Sequence, residues 1–156
     1  MPKARPNGSA VLITGASSAD AAILLIDGAE GVREQTKRHA YVLSLLGTRQ
    51  VVVAVNKLDM VGYDGKIFRR VENDIRTFLH SVGIVPSHVI PVSAREGENM
   101  AKRLGKTPWY TGLTVLEALD TFENVHADRT LPLRLPVQDV YKWDDKRIYA
   151  GRVESG

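Results

Sequence analysis

A run of five consecutive apolar residues followed by a polar turn limits the folds open to this chain more than any other feature. Residues Val51–Val55 are mostly β-branched, and Asn56, Lys57 and Asp59 follow them closely. A continuous apolar run of this length is typical of a strand that is buried on both faces, as in a parallel sheet. In open α/β sheets, ligands bind beyond the carboxyl ends of the strands. The sequence therefore predicts an α/β fold with a ligand site at these three polar residues.

The polar turn has the side chains needed to recognise a purine base. A carboxylate accepts two hydrogen bonds side by side, so Asp59 can accept the N1–H and the exocyclic amine of guanine. Adenine has no such pair of donors, so this residue alone would select the base. We expect the methylenes of Lys57 to cover the ring and the amide of Asn56 to connect neighbouring loops. On this tetrapeptide alone, a strand that simply ends in a polar turn is an equal alternative.

Composition excludes several classes of site. The 156 residues are 44% apolar and contain no cysteine, which excludes disulfides, thiolate metal sites and cysteine nucleophiles. The 21 basic and 18 acidic residues are scattered without a basic block, so nucleic-acid binding is not expected. No apolar run is long enough to span a membrane, and we expect a cytoplasmic protein. Residues 1–9 lack the apolar stretch of a signal peptide and are expected to be a disordered leader.

Two more strands are predicted in addition to the central one. Residues Ala21–Ile26 form another continuous apolar run, which is closed by Asp27. A shorter strand is expected at about His88–Val92, with Ser93 and Ala94 at its carboxyl end. Because parallel strands end at the same edge of a sheet, this pair is expected beside the polar turn described above.

Helical periodicity marks three segments. The first is Glu34–Leu46, and the second is a helix for which Asp64 is the predicted N-cap. The third begins at Thr114, which forms a predicted capping box with Glu117, and extends to about Phe122. The apolar faces predicted for the first two helices are His39, Val42, Leu43 and Leu46, and Phe68, Val71, Ile75, Phe78 and Val82.

Three side chains near these helices are interpreted as packed rather than functional. His39 is expected to be a hydrogen-bonded core residue and not a catalytic base. Trp109 and Tyr110 lie in a long irregular connection, Met100–Gly112, and are expected to pack beneath the third helix. A role for these two rings in stacking on a ligand is the less favoured interpretation.

The pattern of apolar and polar residues changes near the C-terminal end of the sequence. Residues Leu131–Tyr141 alternate between apolar and polar, and a turn at Asp144–Lys146 leads into Arg147–Glu154. This pattern predicts a β-hairpin. A single hairpin is marginally stable in water, so we interpret it as the first hairpin of a separate β-barrel domain.

Together these motifs resemble the translation-factor, or elongation-factor, class of GTPases. That class recognises guanine through Asn-Lys-x-Asp, here Asn56–Asp59, and places a Ser-Ala pair after the next strand, here Ser93 and Ala94. The resemblance implies that the chain binds the base of GTP or GDP. It also implies that the Ala94 N–H donates to guanine O6 and that Ser93 braces the loop beneath Asp59. The other matching segments are Ala21–Gly31, Gln35–His39, Pro108–Leu119 and Leu135–Gly156.

Within this class, two segments are most similar to the GTPase subunit of bacterial sulfate adenylyltransferase. These segments are Gln35–Gly47 and Tyr63-Asp64. The resemblance implies a nucleotidyltransferase subunit in which GTP hydrolysis drives adenylylsulfate formation. Its implied partner is an ATP-pyrophosphatase-type catalytic subunit. In some bacteria the GTPase subunit is fused to an adenylylsulfate kinase. One alternative is a translation factor that delivers aminoacyl-tRNA, although such factors typically have Arg-Glu-His or a similar triplet where this chain has Lys37-Arg38-His39. A second alternative is a non-catalytic GTPase remnant that acts as an interaction module.

Three motifs of the class do not occur in the sequence. These are the phosphate-binding loop Gly-x-x-x-x-Gly-Lys-Ser/Thr, the Asp-x-x-Gly segment and the threonine-bearing switch. We therefore expect an incomplete P-loop GTPase domain with a parallel sheet of about three strands, covering residues 10–124. Residues 125–156 would begin the β-barrel domain. We expect no catalytic residue, no metal ligand and no intrinsic hydrolysis in these 156 residues, and magnesium only in a full-length protein.

The same resemblance predicts a free sheet edge. In the class, the strand that carries the phosphate loop lies beside the strand assigned here to Ala21–Ile26. Without that neighbour, the unpaired N–H and C=O groups of Ala21–Ile26 would form a template for another strand. We therefore expect the chain to self-associate through this edge.

Overall fold

Three parallel strands form one sheet in the order β1-β2-β3. The structure is a computed structural model, and it describes residues 19–123, 130–144, 146–151, 153 and 155–156. The strands are β1 (Ala21–Asp27), β2 (Gln50–Asn56) and β3 (His88–Pro91). Asp27 pairs in register with Asn56, so β1 and β2 end at the same level. The predicted α/β class and three-stranded parallel sheet are confirmed. The leader predicted at residues 1–9 lies outside the described residues.

Helices cover both faces of this sheet. The apolar run Val51–Val55 is the centre of the fold, because each of its side chains is at most 2% exposed. Its odd-numbered residues pack with Leu24 and Ile26 and with the helix that follows β2, whereas Val52 and Ala54 pack with the last helix of this unit. The helices are α1 (Glu34–Leu45), a 3-10 turn (Leu58–Val61), α2 (Gly65–Ser81) and α3 (Val115–Asp120).

The sequence predicted the limits of α2 and α3 closely. The Asp64 carboxylate accepts a hydrogen bond of 2.7 Å from the Lys66 N–H, which makes it the N-cap of α2. Thr114 and Glu117 form the reciprocal capping box at the start of α3. Gly83 has a φ of 79°, a left-handed conformation that ends a helix at little steric cost for glycine. The residues that α2 buries are Gly65, Phe68, Val71, Ile75 and Leu79.

The buried face of α1 differs from the prediction. Thr36, Ala40 and Leu43 are buried, whereas His39 is only half-buried and Leu46 is 38% exposed. The predicted pattern counted large apolar side chains alone. The small side chain of Ala40 is completely buried, and the inner face of the helix is therefore shifted by about one residue from the predicted face.

Trp109 packs against α2 and not beneath α3, where it was predicted. Its ring centroid is 5.3 Å from that of Phe68 on α2, and its indole N–H donates to the Tyr63 carbonyl at 2.9 Å. Tyr110 packs in the cluster that includes Val115 of α3, as predicted. The two ring centroids are 6.4 Å apart, and hydropathy alone did not distinguish which ring packs against which helix.

The chain divides into two compact units, Met1–Phe122 and Glu123–Gly156. The second unit contains the antiparallel hairpin of β4 (Val137–Trp143) and β5 (Lys146–Gly151), which confirms the predicted hairpin. The first strand begins six residues later than predicted, because Pro132 and Pro136 cannot donate ladder hydrogen bonds. Among the described residues, no helix has the length and apolar character needed to cross a membrane.

Candidate functional site

The predicted site begins where β2 ends in a left-handed turn. Lys57 has a φ of 63°, which is uncommon for a residue with a side chain and costs about 1 kcal/mol or more. Hydrogen bonds hold the turn in place. The Lys57 N–H donates to the Asn56 Oδ1 at 2.7 Å, and the Leu58 N–H donates to the Val92 carbonyl at 3.2 Å. The turn leads directly into the 3-10 helix, which carries Asp59.

The amide of Asn56 connects the ends of β2 and β3. Its Oδ1 accepts the Ala94 N–H at 3.0 Å in addition to the Lys57 N–H. Ala94 belongs to the loop after β3, so one side-chain oxygen ties two loops together. The resemblance implied guanine O6 as the acceptor for the Ala94 N–H, whereas in this structure the N–H donates to Asn56.

Asp59 and Ser93 are joined by a direct hydrogen bond. The Ser93 hydroxyl donates to the Asp59 Oδ1 at 2.7 Å and accepts the Glu96 N–H at 3.2 Å. Ser93 is completely buried, whereas Asp59 is only half-buried and is therefore partly accessible to a ligand. Each carboxylate oxygen has two lone pairs, so the bond from Ser93 leaves acceptor capacity on Asp59.

An ion pair between Lys57 and Asp27 extends the site to β1. The Lys57 Nζ lies 2.7 Å from the Asp27 Oδ2. The hydrogen bond from Lys57 lowers the pKa of Asp27, and the same bond raises the pKa of Lys57. The other oxygen of Asp27 accepts the N–H groups of Ala29 and Glu30 at 2.9 and 3.2 Å. Both groups therefore stay charged at neutral pH.

The ends of β1 and β2 approach each other closely at Gly28. Its N–H donates to the Asn56 carbonyl at 2.7 Å. A Cβ at this position would lie 2.8 Å from the Leu58 Cδ2 and 3.1 Å from the Asn56 carbonyl oxygen. A side chain at this position would therefore be crowded by Leu58 and by the Asn56 carbonyl, which favours glycine.

A second polar cluster supports the loops from behind. The Tyr63 hydroxyl donates to the Glu96 Oε2 at 2.7 Å, and Lys106 pairs with the same oxygen. The hydrogen bond from Lys106, followed by that from Tyr63, lowers the pKa of Glu96. Burial and the bond to Glu96 raise the pKa of Tyr63. Tyr63 follows the 3-10 helix, so the cluster links the segment that carries Asp59 to the loop after Ser93.

The structure brings all five predicted site residues together at the carboxyl ends of β2 and β3, namely Asn56, Lys57, Asp59, Ser93 and Ala94. Sequence reasoning missed the contribution of Asp27. The signal was available, because Asp27 ends a predicted parallel strand next to β2. Tyr63, Glu96 and Lys106 had no comparable signal, since they meet only through the folding of two loops.

These groups can recognise a flat heterocycle that has adjacent donors. Asp59 supplies a fixed acceptor, the Ala94 loop supplies a backbone donor, and the Lys57 stem supplies an apolar surface. Among the described residues, no group of three His, Cys, Asp or Glu side chains could hold a metal ion. The arrangement of the donor, the acceptor and the apolar stem fits recognition of a base.

Comparison with known proteins identifies the family to which the chain is similar. The family model described as the elongation factor Tu GTP-binding domain matches residues 9–125. Elongation factor 1-alpha of Thermococcus gammatolerans is 44% identical over 146 residues, which is 93% of this chain and 34% of that protein. Elongation factor 1-alpha of Methanosphaerula palustris is 45% identical over 148 residues, again 93% of this chain and 35% of that protein.

A solved structure shares the fold. The crystal structure of sup35 complexed with GDP superposes with a TM-score of 0.62 at 30% sequence identity, and the match covers 91% of this chain and 38% of that one. This chain thus spans about a third of the length of the curated relatives it matches. Because the family model covers well over half of the 156 residues, the chain belongs to the translation-factor GTPase family, whose members share the elongation factor Tu GTP-binding domain.

Proposed function

We propose that Asn56, Lys57, Asp59, Ser93 and Ala94 form the guanine-recognition site of a GTP- and GDP-binding domain. The observation that carries this proposal is the position of the Asp59 carboxylate, which Ser93 fixes at 2.7 Å beside the Ala94 loop. The GDP complex of sup35, a structural relative, supports the choice of a guanine nucleotide.

The chemistry of the site explains how it would distinguish bases. Asp59 would accept the N1–H and the exocyclic amine of guanine, which adenine cannot offer as a pair. The methylenes of Lys57 would cover one face of the ring. The Ala94 N–H would donate to guanine O6 in one of two ways. It would form a bifurcated hydrogen bond to O6 and the Asn56 Oδ1, or it would break its bond to the Asn56 Oδ1.

The proposal concerns the base and assigns no step of hydrolysis to these residues. The phosphate-binding sequence Gly-x-x-x-x-Gly-Lys-Ser/Thr does not occur in the 156 residues. The described residues likewise offer no group of acidic or histidine side chains for magnesium. GTP hydrolysis and magnesium binding are therefore proposed only for the full-length protein, and the 156-residue polypeptide is expected to be inactive.

For the full-length protein we propose an elongation-factor-type GTPase that delivers aminoacyl-tRNA. Two elongation factors 1-alpha at 44% and 45% identity support this function. The second candidate is the GTPase subunit of sulfate adenylyltransferase, acting with an ATP-pyrophosphatase-type partner. Its support is the similarity of Gln35–Gly47 and Tyr63-Asp64 noted above, and the curated relatives favour the elongation factor.

Ligand-detected NMR with GMP, AMP and GTP on the 156-residue polypeptide tests the base site. We expect weak binding of GMP, none of AMP, and nearly equal affinities for GMP and GTP, because the proposed site contacts only the base. Equal binding of GMP and AMP would overturn the proposal, and so would a large gain from the added phosphates.

An experiment with the full-length protein separates the two candidate functions. An elongation factor loaded with GTP should protect the ester bond of aminoacyl-tRNA against hydrolysis, whereas the GDP form should not. The sulfate adenylyltransferase subunit should instead hydrolyse GTP faster when its catalytic partner, ATP and sulfate are present. Protection of the ester without any response to sulfate would decide for the elongation factor.

A further inference from the structure

The carboxylate of Asp27 holds the side chain of Lys57 in one position. The Lys57 side chain is 54% exposed, yet its Nζ lies 2.7 Å from the carboxylate of Asp27, whose side chain is only 21% exposed. Asp27 is itself fixed, because its second oxygen accepts the N–H groups of Ala29 and Glu30. The less exposed and anchored partner, Asp27, therefore sets the position of the more exposed Lys57 side chain.

This ion pair crosses the carboxyl edge of the sheet. Asp27 is the last residue of β1 and pairs in register with Asn56, the last residue of β2. Neighbouring strands are about 4.8 Å apart, so the Lys57 stem reaches from the end of β2 to the end of β1. Ser93 follows β3, on the opposite side of β2, where it holds Asp59.

At the carboxyl edge of the sheet, the lysine stem thus extends toward β1, whereas Asp59 is held from the side of β3. A lysine without a partner samples many rotamers and loses that freedom when a ring packs against it. A stem that is already extended by an ion pair loses less, which strengthens binding through preorganisation.

We propose that Asp27 is a positioning residue for recognition of the guanine base, which it serves by holding the Lys57 stem as a wall for the ring. This inference rests on the proposed function, because it assigns a further role within the same site. Asp27 does not contact the base itself. It acts only through Lys57.

The replacement Asp27→Asn isolates the ion pair. The amide oxygen of asparagine still accepts the N–H groups of Ala29 and Glu30, so the turn is retained while the charge is lost. With the full 156-residue chain and the uncharged ligand guanosine, we expect affinity to fall about twofold to fivefold, the effect of losing one partly exposed ion pair. Asp74→Asn removes the same charge from an exposed position of α2 and should leave affinity unchanged.

A double-mutant cycle tests whether Asp27 acts through Lys57. The replacement Lys57→Met keeps an apolar stem but removes the ammonium. In that background, Asp27→Asn should cause no further loss of guanosine affinity, because the two replacements remove one shared interaction. An equal loss in both backgrounds would overturn the inference, since Asp27 would then act independently of Lys57.

Nitrogen-detected NMR of the Lys57 ammonium provides a readout that does not depend on nucleotide. In the unsubstituted chain, the signal of the Lys57 ammonium should show a hydrogen bond to a carboxylate. In Asp27→Asn this hydrogen bond should be absent. If the unsubstituted chain binds guanosine and Asp27→Asn binds it equally well, the inference fails while the base site stands. If the unsubstituted chain does not bind guanosine, the proposed base site fails, and the role of Asp27 fails with it.

Discussion

The hydroxyl of Ser93 donates a hydrogen bond of 2.7 Å to the Oδ1 of Asp59, and this bond joins the loops that follow two neighbouring strands. Ser93 is completely buried, so water cannot replace its bond without entering the core. The carboxylate proposed to read the base is therefore held by the folded structure before any ligand arrives.

Replacing Ser93 by alanine should loosen this carboxylate. The Glu96 N–H also loses its acceptor, so we expect a loss of about 1 to 2 kcal/mol in the free energy of unfolding and weaker binding of GMP. Urea unfolding and NMR titration measure the two effects. Ser81→Ala removes an exposed hydroxyl that bonds only to the local Phe78 carbonyl, and it should change neither quantity. A Ser93→Ala chain with unchanged stability and affinity would show that the bond is unimportant.

The pairing of Glu96 with Lys106 and Tyr63 predicts a specific response to acid. Because these partners lower its pKa, Glu96 stabilises the folded chain at pH values above the ordinary carboxyl value of 4.5. That contribution is lost as the pH falls below 4.5 through the lower value of the folded chain. Below pH 4.5, the free energy of unfolding measured in urea should therefore depend less on pH in Glu96→Gln than in the unsubstituted chain. Identical pH dependences would contradict the proposed cluster.

The capping box at the start of α3 provides a test of local stability. Thr114 is 2% exposed, and its hydroxyl accepts the Glu117 N–H while the Glu117 carboxylate accepts the Thr114 N–H. We expect Thr114→Ala to lower the free energy of unfolding by about 1 kcal/mol, as for other N-cap replacements. Thr111→Ala, at an exposed position of the preceding loop, is the matched control and should have little effect.

The edge of the sheet at β1 predicts self-association of the 156-residue polypeptide. Among the described residues β1 pairs only with β2, and Leu25 on its outer face is 60% exposed. An apolar edge strand of this kind is a template for pairing with a second copy. We expect the sedimentation coefficient to rise with protein concentration and Leu25→Lys to abolish the rise. Leu45→Lys, at an exposed leucine of α1, should leave it unchanged, and a chain that stays monomeric throughout would contradict the prediction.

Most of the fold could be predicted from local sequence, because the apolar runs are continuous and the helix caps are explicit. The run Val51–Val55 is buried on both faces, as its composition indicated, and Asp64 and Thr114 cap their helices. The face of α1 could not be predicted, because two of its three buried residues, Thr36 and Ala40, are not large apolar side chains.

The candidate site was predictable in its residues but not in its contacts. Asn56, Lys57 and Asp59 follow a recognisable strand, and the Ser93-Ala94 pair follows the next one. The partner of Lys57 depended on strand order, because Asp27 reaches it only when β1 lies directly beside β2. The bond between the Ala94 N–H and the Asn56 Oδ1 depended on the geometry of two loops, which local sequence does not specify.

The decisive measurement for the guanine site is the base preference of the Asp59→Asn variant, which should change from guanine to xanthine. The carboxylate accepts from the exocyclic amine of guanine, whereas an amide at the same place can donate to the 2-oxo group of xanthine. Calorimetry with GMP and XMP should show a preference for GMP in the unsubstituted chain and for XMP in Asp59→Asn. A variant that still prefers GMP, or that binds both nucleotides as the unsubstituted chain does, would show that Asp59 does not read the base.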